Sequence, residues 1–155
     1  MNPNLRADVA DAYDEHLRGR PLEASFAATV AYFVTLAAAR VETTLFRGAD
    51  AGYVTIFGVH IHHFVFGVLF LLIAGVFALD DVWRRARAVL FGIGAALVLD
   101  EFALLVFLKD VYWLPQGAIS IAALAIGLVA LVVNTWRGRR FFVDVAVAIR
   151  RPPAG

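Results

Sequence analysis

The chain contains four long apolar stretches that are separated by short polar segments. The stretches cover about residues 24–46, 55–79, 88–108 and 118–136. A helix of about 20 apolar residues is long enough to cross the hydrocarbon core of a bilayer. Because hydrocarbon offers the backbone no hydrogen-bond partners, each stretch is predicted to be a membrane-spanning helix. The short connections make consecutive helices antiparallel neighbours, so the predicted fold is an all-α four-helix transmembrane bundle that forms a single domain, 1–155.

Two shorter amphipathic segments lie outside the predicted spans. Apolar residues recur at helical spacing over residues 4–18, which predicts a surface helix within the N-terminal tail, 1–20. Residues 141–149 are apolar apart from one aspartate and are too short to span, so they predict an interfacial segment within the basic tail, 137–155. His16 lies in the first of these segments, away from the other histidines. No apolar core follows a basic start, so no cleavable signal peptide is predicted.

The composition agrees with a membrane protein. The chain is 61% hydrophobic and 17% charged, whereas soluble domains are roughly 45–50% apolar and about 25% charged. The formal net charge of +1 creates no basic field, so no nucleic-acid partner is expected. Cysteine is absent, and a bound metal would therefore need nitrogen and oxygen ligands.

The distribution of basic residues predicts the orientation of the bundle. Of the 14 Lys and Arg residues, 11 lie in the two tails and in the loop between the second and third helices. The other three are Arg40, Arg47 and Lys109, at the opposite ends of the helices. Because cytoplasmic segments carry the excess of Lys and Arg, both termini are predicted to be cytoplasmic, in a multi-pass protein of the inner (plasma) membrane. Whether the chain forms a homo-oligomer is left open.

Charged and titratable residues interrupt the first three apolar stretches, and those in the second and third are the most unusual. Asp100 and Glu101 are adjacent in the third stretch, which otherwise carries no formal charge. His60, His62 and His63 lie near the start of the second stretch and are three of the four histidines. Because ionisable groups in hydrocarbon are energetically expensive, they indicate a functional site.

The alternating direction of the helices brings these residues to one depth. Arg40 and Glu42 lie near the outer end of the first helix, and the histidines lie near the outer end of the second. Asp100 and Glu101 lie on the order of 10 Å below the outer end of the third helix, at 1.5 Å per residue. All these groups are therefore expected in the outer half of the bundle. Glu42 is close enough to the surface that solvation is favoured over a ligand role.

Helical periodicity separates the histidines. At about 100° per residue, His60 and His63 share a face with Gly67, and this face continues through small residues that allow close helix packing. His62 points about 160° away, so it joins the other two only if the backbone around Gly58 departs from a regular helix.

The residue types predict a divalent metal site. Imidazole and carboxylate are ligands for zinc, the first choice here, and for iron or manganese. Three protein ligands leave a position for water, whose pKa can fall to about 7 on the metal. The function predicted from this chemistry is metal-dependent hydrolysis of a membrane lipid or another hydrophobic substrate. The predicted metal ligands are His60, His62, His63, Asp100 and Glu101, with Glu101 also a general base and Arg40 a clamp for an anionic group.

Two blocks of the sequence resemble a group of small bacterial four-helix integral membrane proteins. The blocks are residues 60–67, which contain the His-x-His-His pattern, and residues 92–102, which contain the Asp-Glu pair, followed by Asp110-Val111-Tyr112-Trp113. The resemblance implies a membrane bundle and no particular reaction. The chemistry is similar to that of intramembrane metal hydrolases of the ceramidase and progestin-receptor-like type, which hold zinc with His and Asp. Those proteins have more helices, and their motifs are not matched.

Other hypotheses explain the same residues. A proton-linked or ion-linked transporter would use them as a relay, although the cytoplasmic halves of the last three helices offer no polar continuation. In a structural or accessory subunit, Arg40 would neutralise the Asp100-Glu101 pair, and the buried polar cluster would fix helix packing. The histidines could also be solvated at the interface. A di-iron enzyme usually shows Glu-x-x-His pairs, and this chain has none.

Overall fold

The described part of the chain is predominantly α-helical, with one small pair of antiparallel strands. The computed structural model describes residues 4–45, 54–56, 59–107 and 120–150. In chain order the elements are α1 (Leu5–His16), α2 (Pro21–Leu45), β1 (Val54–Ile56), β2 (Val59–Ile61), α3 (His63–Leu79), α4 (Arg84–Asp100), α5 (Phe102–Phe107), α6 (Ser120–Arg137) and α7 (Arg139–Arg150).

Helices form in all four predicted apolar stretches, but two of them differ from the prediction. The second helix begins only at His63, because β1 and β2 pair as antiparallel strands with Thr55 opposite His60. β-Branched residues, which favour strands, dominate both segments. The third helix ends at Asp100 and continues as the separate α5 after a non-helical residue, Glu101. The amphipathic segments near the two ends are also helical, as α1 and α7.

Helix α4 lies at the centre of the bundle. It runs parallel to α2, since Arg84 donates to the carbonyl of Pro21 at one end and Arg40 pairs with Asp100 at the other. It runs antiparallel to α3, where Gly94 faces Gly67. Gly92 of α4 lies against Ala28 of α2 in the same way. Glycines at both helix–helix contacts let the two backbones approach closely. The polar end of α2, the start of α3 and the end of α4 therefore meet at one end of the bundle.

Helix α6 packs antiparallel against α2. Gly127 lies against the ring of Tyr32, and the buried Asn134 donates from Nδ2 to Thr29 Oγ1 at 2.5 Å. The sequence prediction overlooked this amide, which is the one Asn of the predicted fourth span. The bond satisfies a polar side chain that would be costly to bury alone.

The two amphipathic helices pack on each other at the other end of the bundle. A small core joins α1 and α7 to the start of α2 through Leu17, Leu22 and Phe141. His16 on α1 also contacts Asp144 on α7, with 2.7 Å between Nε2 and Oδ2. The terminal helices therefore form one substructure at the end of the bundle that carries the arginines of the second predicted loop.

Among the described residues, one helix is long and apolar enough to cross a membrane by itself. This helix is α2, with 25 residues. The apolar helix α3, with 17 residues, is shorter than α2.

Candidate functional site

The end of α4 and the start of α3 bring two predicted carboxylates and two predicted histidines together. Asp100 is the last residue of α4, and Glu101 follows it in a non-helical conformation. His62 is an extended residue directly before α3, and His63 is the first residue of that helix. Because Glu101 leaves the helix, its side chain reaches the start of α3 while Asp100 stays between α2 and α3.

Asp100 is fully buried and lies between two partners. Arg40 Nε on α2 is 2.5 Å from Asp100 Oδ1. His63 Nε2 donates to Asp100 Oδ2 at 3.2 Å. A buried carboxylate needs such partners because its desolvation is costly. Asp100 thus links α2, α3 and α4 through one side chain.

Glu101 binds the start of α3. Its Oε2 accepts the backbone N–H of Phe64 at 2.9 Å, and its Oε1 accepts Nδ1–H of His62 at 3.1 Å. The first N–H groups of a helix have no partner within the helix, and a carboxylate there also interacts favourably with the helix dipole. Glu101 therefore caps α3 from a different helix, a contact that no local capping motif in the sequence would reveal.

His63 has its two ring nitrogens on two different carboxylates. Nε2 donates to Asp100, and Nδ1 lies 3.8 Å from Glu101 Oε1. With Nε2 protonated, a neutral imidazole leaves an unprotonated Nδ1 only 3.8 Å from a negatively charged oxygen. That arrangement is repulsive unless a cation, either a proton on Nδ1 or a metal ion, lies between them.

The formal charge of this cluster also favours a bound cation. The cluster contains two carboxylates, Asp100 and Glu101, and one guanidinium, that of Arg40, which pairs with Asp100. With both imidazoles neutral the cluster carries one net negative charge, and its two carboxylates are buried. A partly desolvated site with this charge favours uptake of a cation.

The structure corrects the predicted roles of the histidines. His60 belongs to β2 and shares no helical face with His63, so the periodicity argument was wrong at this position. The orientation of the His60 side chain lies outside what the structure describes. His62, expected to point away, contacts Glu101 because the helix starts only after it. Glu42 is exposed, and Tyr112 and Trp113 lie outside the described residues.

A second group of potential metal ligands was missed by the sequence prediction. The side chains of Glu15, His16 and Asp144 each offer a ligand atom within 4.8 Å of the others. Among the described residues, this is the one group of three or more potential ligands whose atoms lie within that distance of one another. The ligand atoms of His62, His63 and Glu101 lie farther apart. Residues 16 and 144 are too far apart in sequence for any local pattern to signal the contact. Both carboxylates are exposed, a situation that is common without a metal.

The arrangement at the end of α4 resembles the way proteins orient metal-binding histidines. A carboxylate that accepts one ring N–H fixes the tautomer and directs the other nitrogen at the metal. Asp100 stands in this relation to His63, and Arg40 in turn holds Asp100. Comparisons of the chain with protein-family models, with curated proteins and with solved structures each found no match.

Proposed function

We propose that the chain is a multi-pass membrane protein that binds a divalent metal ion at the junction of α2, α3 and α4. The observation that carries this proposal is the position of His63, whose Nδ1 lies 3.8 Å from Glu101 Oε1 while Nε2 is held by Asp100. Two donors that bind one zinc at about 2.0–2.2 Å have a separation of this order. The ligands that we assign are His62, His63 and Glu101.

The remaining polar groups would support the metal. Asp100 orients His63, and Arg40 compensates the charge of Asp100. Zinc is the first choice for two imidazoles and a carboxylate, with iron or manganese as alternatives. Rotation of the His62 ring, which now donates to Glu101, would turn a nitrogen lone pair to the ion. His60, in the neighbouring strand, remains a proposed further ligand.

The reaction that we assign to such a site is hydrolysis of a lipid or another hydrophobic substrate. Three protein ligands leave a coordination position for water, and zinc lowers the pKa of that water to about 7. Glu101 would serve as ligand or base. Arg40, beside Asp100, would bind an anionic head group of the substrate.

Metal binding is tested most directly in protein that carries His16→Ala, because this change removes the second ligand group. We expect this protein to bind about one zinc per chain, measured by elemental analysis and by calorimetric titration in detergent. His63→Ala and Glu101→Gln should each weaken binding by about tenfold or more, since loss of a supporting group alone costs about 10–100-fold. His62→Ala should have a similar effect, and His60→Ala tests the remaining predicted ligand.

The matched control is His16→Ala alone compared with wild type. If zinc binds at the cluster, this single change leaves one equivalent in place, and the further changes at His63 and Glu101 remove it. Zinc that disappears with His16→Ala alone would assign the metal to the α1–α7 contact and contradict the proposal. Protein that takes up no zinc in any form would do the same.

A second candidate function is a structural cluster that fixes the packing of the helices. It is favoured by the ion pair between Arg40 and Asp100 and by the capping of α3 by Glu101. Each contact joins two helices without a metal. In this case changes at the cluster alter stability in metal-free buffer, without any change in bound metal.

The proposed membrane location is supported by the surface of the helices. Large apolar side chains point outward along the bundle, and a soluble monomer rarely exposes an apolar surface of this extent. Strongly exposed examples on α2, α3 and α6 are Val34, Leu72, Val129 and Val132. Lipid chains would cover these residues. We place the metal site in the outer half of the membrane and both termini in the cytoplasm, as the arginine distribution indicates.

Reporter fusions test this topology. A reporter fused after Gly155 should signal a cytoplasmic location, and reporters inserted near Asp50 or Gln116 should signal the outside, because the arginines lie in the opposite segments. An in-frame fusion after Arg20 provides a control for the N-terminal side. External signals at both ends of the chain would reverse the proposed orientation.

A further inference from the structure

A groove of about 520 Å³ lies between α2 and α3, at the opposite end of the bundle from the proposed metal site. Its volume is within the range of about 300–1,000 Å³ that is typical of ligand sites. Ala24 of α2 forms one wall and residues of α3 form the other, while α4 forms the floor. The residues of α3 and α4 that line it are Leu71, Ala74, Gly75, Ala78, Arg84, Arg87, Ala88 and Phe91.

The groove combines an apolar wall with basic residues at one end. Most of the lining residues are apolar, and the two polar ones, Arg84 and Arg87, belong to the first turn of α4. Arg87 binds Asp81 at 2.6 Å and two backbone carbonyls. Arg84 is exposed and donates from Nη2 to the carbonyl of Pro21. Because a guanidinium has five N–H donors, this bond leaves donors for an anion.

The surroundings of Gly75 show that the space next to this part of α3 is open. A Cβ atom added to this glycine would meet no protein atom within 4 Å. At the glycines of α3 and α4 that face each other, Gly67 and Gly94, such an atom would meet the other helix at less than 3.0 Å. Gly75 therefore keeps one side of α3 open along the groove, where an acyl chain would contact the helix backbone.

We propose that this groove binds one anionic glycerophospholipid, with an acyl chain along Gly75 and Phe91 and the phosphate at Arg84. The proposal rests on the proposed membrane location and is independent of the metal site. Basic residues between membrane helices on the cytoplasmic side bind anionic head groups, and the proposed topology puts Arg84 on that side. The apolar wall requires that the phosphate carry acyl chains, which excludes free phosphate as the ligand.

The proposal is tested by native mass spectrometry of the protein in detergent, with phosphatidylglycerol and phosphatidylcholine of identical acyl chains. Wild type should retain one phosphatidylglycerol and little phosphatidylcholine. Gly75→Leu should reduce this retention to the phosphatidylcholine level, because the new side chain fills the groove. Arg84→Gln should weaken phosphatidylglycerol binding by about fivefold, the factor that corresponds to roughly 1 kcal/mol per basic residue near the surface. Arg6→Gln, which removes an exposed charge on the same side of the protein, is the matched control.

Three results would overturn the proposal. They are equal retention of the two lipids by wild type, full retention by Gly75→Leu, and an effect of Arg84→Gln no larger than that of Arg6→Gln. Inorganic phosphate added in excess should not displace the lipid, and displacement would show that the acyl chain contributes nothing. None of these measurements involves zinc, so failure here is separate from failure of the metal site. Protein that purifies without detergent would instead contradict the membrane location itself.

Discussion

Replacement of Arg40 by Met is expected to destabilise the protein by about 3–5 kcal/mol in metal-free buffer, the usual cost of breaking a buried ion pair from one side. The variant leaves the charge of Asp100, which is 0% exposed, without its guanidinium. The reverse change, Asp100→Asn, should cost less. The Arg40 side chain is 39% exposed and can turn towards water, so the loss should approach that of one hydrogen bond to a charged group, about 1.5–3 kcal/mol.

Unfolding of the detergent-solubilised variants, in buffer that contains a chelator, measures this asymmetry. The double variant Arg40→Met/Asp100→Asn should recover most of the stability lost by Arg40→Met, because neither charge is then stranded. Arg140→Met removes an exposed arginine from α7 and serves as the matched control. Effects of Arg40→Met no larger than those of the control, or no recovery in the double variant, would show that the pair contributes nothing to the fold.

The same double variant separates the two candidate functions. It retains His62, His63 and Glu101 and removes only the groups that orient and neutralise them. The comparison is made in protein that carries His16→Ala. If the cluster binds zinc, adding Arg40→Met/Asp100→Asn to this protein should weaken zinc binding about 10–100-fold. If the cluster only holds helices together, stability changes while neither protein binds zinc at this position.

The sequence predicted that Arg40 and Asp100 lie at the same level of the bundle, because this required only the direction of each helix and the position of each residue along it. Arg40 near the end of one helix and Asp100 in a parallel one were predicted in the same layer, and the structure brings them into contact. The individual partners were not predictable. Helical periodicity was extended through His60 and His62, whereas β1 and β2 occupy this region and the helix starts at His63. A one-residue change in helix start rotates the expected direction of a side chain by about 100°.

Long-range contacts between helices could not be predicted from the sequence. The hydrophobic pattern predicted α1 and α7 as separate surface segments, and both are helices. Their mutual packing through Phe141 depends on two chain ends that no local pattern connects. The contact between His16 and Asp144 depends on the same packing. The position of such contacts is determined by the assembled core, so it cannot be derived from periodicity within each segment.

The glycines of α4 explain how one helix packs closely against two neighbours. Gly92 and Gly94 are two residues apart, which is the wrong spacing for a single close-packed face of four-residue period. Two residues correspond to about 200° around a helix, so the two glycines face opposite neighbours. Gly92 lies against Ala28 of α2, and Gly94 lies against Gly67 of α3. This explains how α4 packs closely on both helices at once.

Substitution of these glycines by alanine is expected to give graded effects on stability. Gly92→Ala should be the most damaging, because its Cβ would overlap the backbone carbonyl of Ala28 and could be accommodated only if α2 moved. Overpacking of this kind typically costs about 1–3 kcal/mol and occasionally more. At Gly94 the Cβ would lie 2.7 Å from the carbonyl oxygen of Gly67. Gly94→Ala should therefore have a smaller but still destabilising effect.

Gly75→Ala is the matched control, since its Cβ would meet no protein atom within 4 Å. This variant should be as stable as wild type or more stable by up to about 1 kcal/mol, because alanine has the higher helix propensity. Thermal unfolding of all three variants in one detergent gives the order directly. If Gly92→Ala unfolds at or above the temperature of Gly75→Ala, α2 and α4 are not in close contact at this position. The parallel packing that aligns Arg40 with Asp100 would then be contradicted as well, since both contacts depend on the same approach of these two helices.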